Sequence, residues 1–384
     1  MAVKRKIYLD YNATTPVDAR VIDAMIPYFT EKFGNASSDH IFGWDAGEAV
    51  ETAREQIGRL ITCKPTELIF TSGATEAANL ALFGFCERNK SKGNHIITCK
   101  TEHKAVLDIM SALEKKGFKI TYLDVDKTGN LDLQELKNSI TSKTILVCLM
   151  LSNNETGLVH SLKEIEKIVH AKGVKLMSDI TQAVGKIPVD LSELNLDLAI
   201  FSSHKIYGPK GVGALYINKK NQVEIEPQYF GGGQEKGMRP GTLNVPGIVG
   251  FGKAAEIISS GIENESMRIM KMRQKIESEL RKISGAVINS ENSDRLPNTT
   301  NISFKDIEGE LLLRKLNSLA ISRGSACNSN TVKPSHVLKA MGLSDDLASS
   351  SIRISLGRKS NMEDIDFAVM EIKRAVGELK KAMV

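Results

Sequence analysis

The feature that most restricts the fold lies between residues 67 and 217, where short, almost uninterrupted apolar runs alternate with stretches of helical periodicity. The runs are "ELIFTSG", "HIITCKTEH", "KITYLDVD", "TILVCLMLSNNE", "VKLMSDITQ", "LDLAIFSSHK" and "VGALYIN". Among them lie "TEAANLALFGFCERN", "KAVLDIMSALEKKG" and "SLKEIEKIVHAKG", whose apolar residues recur at helical spacing. A strand that is apolar on both sides must be covered on both sides, so the pattern predicts a mostly parallel, seven-stranded sheet between layers of helix. Strand–helix alternation of this kind is the α/β doubly wound arrangement.

Beyond it, residues 246–284 carry helical spacing over a length that suits one or two helices leading away from the sheet. Then come "NTTNISF", "LAISRGSA" and "SSIRISLG" as strands, with "EGELLLRKL", "SHVLKAMG" and "MEDIDFAVMEIKRAVGELKKAM" as helices. This reads as a smaller α+β unit. A chain of 384 residues has room for both. The expected division is a large domain over 12–255 and a small one over 256–384 together with 1–11.

Composition removes several classes of function. The 51 basic and 46 acidic residues are spread along the chain, with no basic tract dense enough for nucleic acid or an anionic membrane. The longest strongly apolar run, "TILVCLML", falls far short of the ~20 residues that span a bilayer. The opening "MAVKRKIYLDYN" is not followed by an apolar signal segment, so a cytoplasmic location is expected. Five cysteines (63, 86, 99, 148 and 327) without a CxxC pair argue against a disulfide framework or a structural zinc, and no metal is expected. Cys86, Cys99 and Cys148 sit in apolar patterns as small core residues.

In an open α/β sheet, ligands bind beyond the carboxyl ends of the strands. Here those ends are polar: Thr71-Ser72-Gly73-Ala74-Thr75-Glu76, Glu102-His103, Ser152-Asn153-Asn154-Glu155, Ser178-Asp179 with Gln182, and Ser202-Ser203-His204-Lys205. The "SGATE" turn opens a helix, whose free N–H groups favour phosphate, although Ser72 and Thr75 serve equally as N-caps. Asp179, ending an apolar strand, needs either a cation partner or a capping role. His103 is either a satisfied core histidine or a ring at the site. Lys205 on such a rim can act as an amine nucleophile that forms Schiff bases. A phosphate cup, a carboxylate, an imidazole and a lysine together suit pyridoxal 5'-phosphate. No GxxxxGK[ST] or post-strand GxGxxG is present.

Nine stretches carry a resemblance to a known family: "YLDYNATTP", "FTSGATEAANLA", "TEHKAV", "NNETG", "DITQAVGKIPVD", "SSHKIYGPKGVGALY", "GGGQEKGMRPGTLNV", "RGSACNS" and "SSIRISLGR". Jointly they resemble the cysteine desulfurases of Isc/Nif type, class V enzymes of the fold-type I pyridoxal-phosphate group. The resemblance implies that Lys205 binds the cofactor covalently, His103 stacks on its ring, Asp179 pairs with the ring nitrogen and Gln182 bonds the 3'-oxygen. Ala74, Thr75, Ser202 and His204 would hold the phosphate, with Ser203 in the same cofactor-binding stretch. Thr242 would reach over from the second subunit of a homodimer. Asn154, also near the cofactor, and Arg353 would hold the substrate carboxylate.

Cys327 lies in a Ser-, Asn- and Gly-rich loop, which predicts exposure. The resemblance makes it the thiolate that attacks the sulfur of L-cysteine, leaving an enzyme persulfide and L-alanine. His103 is then the expected proton acceptor for one of the thiols. The sulfur would pass to an iron–sulfur scaffold protein or another acceptor, as in tRNA thiolation. Two departures bear on partner choice: Arg323 stands where Ser is common, and "FGNASSDH" differs from the usual "GNP…S" stretch. A lyase or aminotransferase of the same class would not need Cys327, and a non-catalytic scaffold would not need Lys205.

Overall fold

The structure, a computed structural model, describes residues 5–323 and 334–382, so Cys327 lies outside the described residues. All seven expected strands pair in one sheet, in the order Leu68–Thr71, Gly213–Ile217, Leu198–Ser202, Lys175–Asp179, Thr144–Cys148, His95–Cys99, Lys119–Leu123. Six run parallel. Gly213–Ile217 is antiparallel to both of its neighbours, a direction that its apolar pattern does not encode.

The strands are apolar throughout because successive side chains enter different cores. Ile69, Ile96, Leu146, Ile200 and Leu215 join one core with the Ala74–Asn89 and Lys104–Lys115 helices. Their neighbours Phe70, Ile97, Val147, Phe201 and Ala214 join the other, against the helices Ile41–Leu60, Leu162–His170 and Val245–Ser259. Leu162, Ile165 and Val169 show how a helix meets such a sheet, three buried residues on one stripe. Helices Ile41–Leu60 and Val245–Ser259 approach closely at Gly252, where a Cβ would stand 2.5 Å from the Ala53 Cα.

A separate core joins Ile7 and Leu9 to Ile276, Ile302, Ile354 and Ile372. It packs around the antiparallel sheet Ile352–Ser355, Thr299–Phe304, Ala286–Ile288 and the helices Ile262–Leu280 and Met362–Ala382. Among the described residues of "LAISRGSA", Leu319–Ala320 forms a strand, parallel to Ile7–Tyr8, and Ser322 then bridges to Arg353. Ala286–Ile288 and the helices Ala19–Met25, Ile41–Leu60 and Leu133–Ser139 are not among the elements that the pattern predicts. Among the described residues no helix is long and apolar enough to cross a membrane.

The antiparallel strand Gly213–Ile217 has no room for a side chain at its first residue. A Cβ at Gly213 would lie 2.6 Å from the Gly73 Cα and 2.7 Å from the Phe201 carbonyl oxygen. Gly213→Ala should therefore push the Ser72–Thr75 turn off its strand and cost about 1–3 kcal/mol in a denaturant titration. Gly377→Ala, where nothing stands within 4 Å of the added carbon, should be neutral or stabilising in the same titration.

Candidate active site

The six parallel strands end on one edge of the sheet, and a cavity of about 540 Å³ opens there. Ala74, Thr75, His103, Asn154, Asp179, Gln182, Ser202, His204, Lys205 and Arg353 all line it, although they come from six separate stretches of chain.

The Ala74–Asn89 helix begins at Gly73, which provides no side-chain cap, so its first N–H groups face the cavity without a local acceptor. The turn is braced from outside, with the Ser72 N–H donating to Glu76 Oε2 at 2.9 Å and Arg239 Nε donating to Glu76 Oε1 at 2.8 Å. Beside it His204 lies 3.1 Å from Thr14 Oγ1. Burial first, and then the charges of Lys205, Lys210 and Lys186, push the His204 pKa down to about 4. The three lysines beside His204 favour an anion there.

Lys205 donates to the backbone oxygens of Asn12 at 2.6 Å and Ala13 at 2.7 Å. Gln182 Nε2 donates to the same Asn12 oxygen at 3.0 Å. Asp179 accepts from the Thr181 N–H at 2.9 Å, within a turn, and also lines the cavity. Arg353 is 3% exposed and pairs with Asp10 at 2.6 Å, and it donates to the Asn154 carbonyl oxygen at 2.9 Å.

Two expected residues lie elsewhere. Ser203 does not line the cavity; it is fully buried with an unpartnered Oγ, because the chain turns inward after Ser202. Thr242 is exposed outside the cavity, on a segment anchored where Glu235 meets Arg54 at 2.7 Å and the Phe70 N–H at 2.7 Å. Other residues join without having been singled out. Lys186 is half-buried, donates to Gln182 and Asn12, and has a pKa lowered by burial and by Lys205 and Arg353. Its spacing of four from Gln182 was the available signal. Glu102 is buried, which raises its pKa, and it accepts from the Met150 N–H at 2.6 Å. Glu155 accepts from Ser335 Oγ, and His336 faces the cavity. Those two contacts are long-range, and nothing local announces them.

The sequence matches the family Aminotransferase class-V over residues 7–367. The chain belongs to this family. It is 50% identical over 381 residues to a cysteine desulfurase IscS of Anaeromyxobacter sp. (strain Fw109-5), covering 99% of this chain and 94% of that one. A solved NifS-like protein superposes with TM-score 0.91 at 39% identity, over 97% of this chain and 100% of the other. A structure of SspA in complex with cysteine gives TM-score 0.82 at 35% identity, over 91% and 98%. The class-V chain thus groups with the IscS and NifS-like cysteine desulfurases, and its fold is fold-type I.

The class-V family is pyridoxal-phosphate-dependent, and the donor set here fits that cofactor. The uncapped helix start, Ser202 and His204 suit the phosphate, Asp179 suits a protonated ring nitrogen, and Lys205 suits an aldehyde.

His160, which closes the "NNETG" turn by donating its N–H to the Leu151 oxygen, is 5% exposed. Burial lowers its pKa from the ordinary 6.5 to about 4. Above about pH 6.5 both states are neutral and stability is unaffected. Between there and pH 4 the unfolded chain takes up a proton that the folded one refuses, costing up to about 3 kcal/mol. Urea titrations should show His160→Gln losing less stability than wild type as pH falls from 7 to 4.5.

Proposed function

We propose that this protein is a cysteine desulfurase that converts L-cysteine to L-alanine and a persulfide on Cys327. The observation that carries the reading is the convergence of Lys205, Asp179, His103 and Arg353 on one cavity beside an uncapped helix start. When bound there, pyridoxal phosphate supplies an aldehyde that condenses with amines and a ring that withdraws electrons from the substrate carbons.

The chain's own residues do the rest. Lys205 holds the cofactor and, once released, its amine takes the proton from the substrate Cα. Asp179 keeps the ring nitrogen protonated by its charge. Arg353 and Asn154 receive the substrate carboxylate, and the Asp10 pairing sets the angle of the Arg353 fork. Cys327 then attacks the substrate sulfur as a thiolate. The other four cysteines are poor nucleophiles at neutral pH, because burial pushes Cys63 and Cys86 up to about 12, Cys99 to about 11, and Cys148 well above its ordinary 9.0. The backbone on either side of the Cys327 segment ends at the site, with Ser322 bridged to Arg353 and His336 lining the cavity.

The working form is a homodimer. Exposed aromatic residues support this, with Phe33 at 66%, Trp44 at 58% and Phe230 at 91% exposure, more apolar surface than a monomer retains without use. Phe230 adjoins the segment of Thr242, which in a dimer reaches the neighbour's phosphate site. The persulfide sulfur passes to an iron–sulfur scaffold protein or another acceptor in the cytoplasm. The chain divides functionally into a cofactor-binding unit over 12–255 and a smaller unit, 256–384 with 1–11, that carries Cys327.

Incubation with L-cysteine and a thiol reductant should yield alanine and sulfide in equal amounts. Cys327→Ala should keep the cofactor absorption near 420 nm, and its response to L-cysteine, while turnover drops by several powers of ten. Lys205→Ala should lose both spectrum and turnover. Sulfide release by Cys327→Ala at the wild-type rate would point instead to a lyase.

A further inference from the structure

Neighbours that can only accept, or only donate, fix which way the polar side chains of the cavity face. His103 Nδ1 accepts from the Ala105 N–H at 3.1 Å, whereas His336 is held by Nε2, 2.9 Å from the Glu102 backbone oxygen. The same rule decides the Gln182 carboxamide, which is 6% exposed and lines the cavity. Its Nε2 lies 3.0 Å from the Asn12 backbone oxygen, a group that can only accept, and its Oε1 meets the amine of Lys186. The amide nitrogen therefore faces Asn12 and the oxygen faces Lys186. A carboxamide nitrogen carries two N–H groups. One is on Asn12, and the second is the group that Gln182 can offer to a ligand in the cavity.

Lys186 holds the oxygen end of that amide. It is half-buried, and it lines a small cavity of about 20 Å³ with Lys205 and Asn298 rather than the large one. Its Nζ also donates to Asn12 Oδ1 at 3.3 Å, an oxygen that accepts from Asn298 Nδ2 at 3.1 Å as well. Asn12 cannot turn over, because its Nδ2 is committed to the Asn154 backbone oxygen at 3.1 Å. From the helix Ile262–Leu280, Ser266 Oγ donates to the Lys186 backbone oxygen at 2.6 Å and pins that residue in place. Lys186, Gln182 and Asn12 thus form a closed ring of hydrogen bonds with one orientation. Burial and the charges of Lys205 and Arg353 lower the Lys186 pKa. The ring survives loss of a proton, since a neutral amine still has two N–H groups for the two oxygens.

We propose that Lys186 is a positioning residue: by holding Gln182 Oε1, it keeps the second Gln182 N–H turned to an anionic oxygen on the ring of pyridoxal phosphate. The inference rests on the cofactor reading of the cavity and adds a residue to it. Without Lys186, Oε1 loses its donor and the amide is free to turn, which sets a carbonyl oxygen against the ring oxygen. An N–H aimed at that oxygen stabilises its anion, and a second oxygen in the same place repels it. Lys186 itself needs no contact with the cofactor, so its effect passes through Gln182.

The test compares wild type, Lys186→Met, Gln182→Ala and the double variant, all loaded with pyridoxal phosphate and free of substrate. Lys186→Met keeps a side chain of similar length and removes the donor. The readouts are the pH at which the visible absorption of the bound cofactor titrates and the affinity of the apoenzyme for pyridoxal phosphate. Asp179, Glu155, His103, His204, Lys205 and Arg353 border the cavity in all four proteins, so differences belong to residues 182 and 186. A ring oxygen deprived of its donor holds a proton to higher pH. Lys186→Met and Gln182→Ala should therefore each raise that pH by about 1 unit and weaken the affinity about tenfold, the size of one hydrogen bond to a charged group. In the Gln182→Ala background, Lys186→Met should add less than about half of its effect in wild type. An unchanged titration in Lys186→Met would overturn the proposal. So would an undiminished effect in the Gln182→Ala background, which would make Lys186 a bare charge. Should Lys186→Met not fold, Lys186→Arg keeps the donors and should shift the pH by less than about half as much as Gln182→Ala, an equal shift overturning the proposal. A wild-type protein that binds no pyridoxal phosphate would instead sink the cofactor reading.

Discussion

Asn12 ties the site together. Its backbone oxygen accepts from Lys205 and Gln182, its Oδ1 accepts from Lys186 and Asn298, and its Nδ2 donates to the Asn154 oxygen and Thr299 Oγ1. Its own N–H donates to Ser355 Oγ. One buried residue thereby joins the rim of the large sheet to strands Thr299–Phe304 and Ile352–Ser355. A buried polar side chain is tolerated only when its groups are satisfied, and once satisfied it fixes one arrangement of its partners.

The same rule governs the charges around it. Lys186, Lys205 and Arg353 crowd a space that Asp10, Asp179 and Glu155 also border. Holding three cations together costs stability, and an anion among them lowers that cost. Burial first, and then the neighbouring cations, lower the pKa values of His204 and Lys186. Such a site suits phosphate and carboxylate groups, and the surrounding cores absorb its cost.

How far the sequence could be read differs from element to element. The seven sheet strands and the helices Ala74–Asn89, Lys104–Lys115 and Leu162–His170 were legible because burial on both faces, or on one stripe, leaves a periodic trace. The direction of Gly213–Ile217 was not, since an apolar strand reads the same either way. Ala286–Ile288 was too short to show a period. Lys205, Asp179 and His103 stood out because polar groups ended apolar runs. Ser203 shared that signal and turned out to point into the core, since adjacency on a turn does not fix which side chain faces outward.

The sequence by itself determined the class of fold, the rim on which chemistry collects and the identity of most groups on it, because hydrophobic periodicity and strand ends are local properties. Only the tertiary structure decided the hydrogen-bond partners: that Arg353 leans on Asp10, that Lys186 braces Gln182, and that His103 and His336 hold their lone pairs differently. The reason is physical. Which nitrogen carries a proton depends on the atom within about 3 Å of it, and the Glu102 oxygen that decides this for His336 is 234 residues away along the chain.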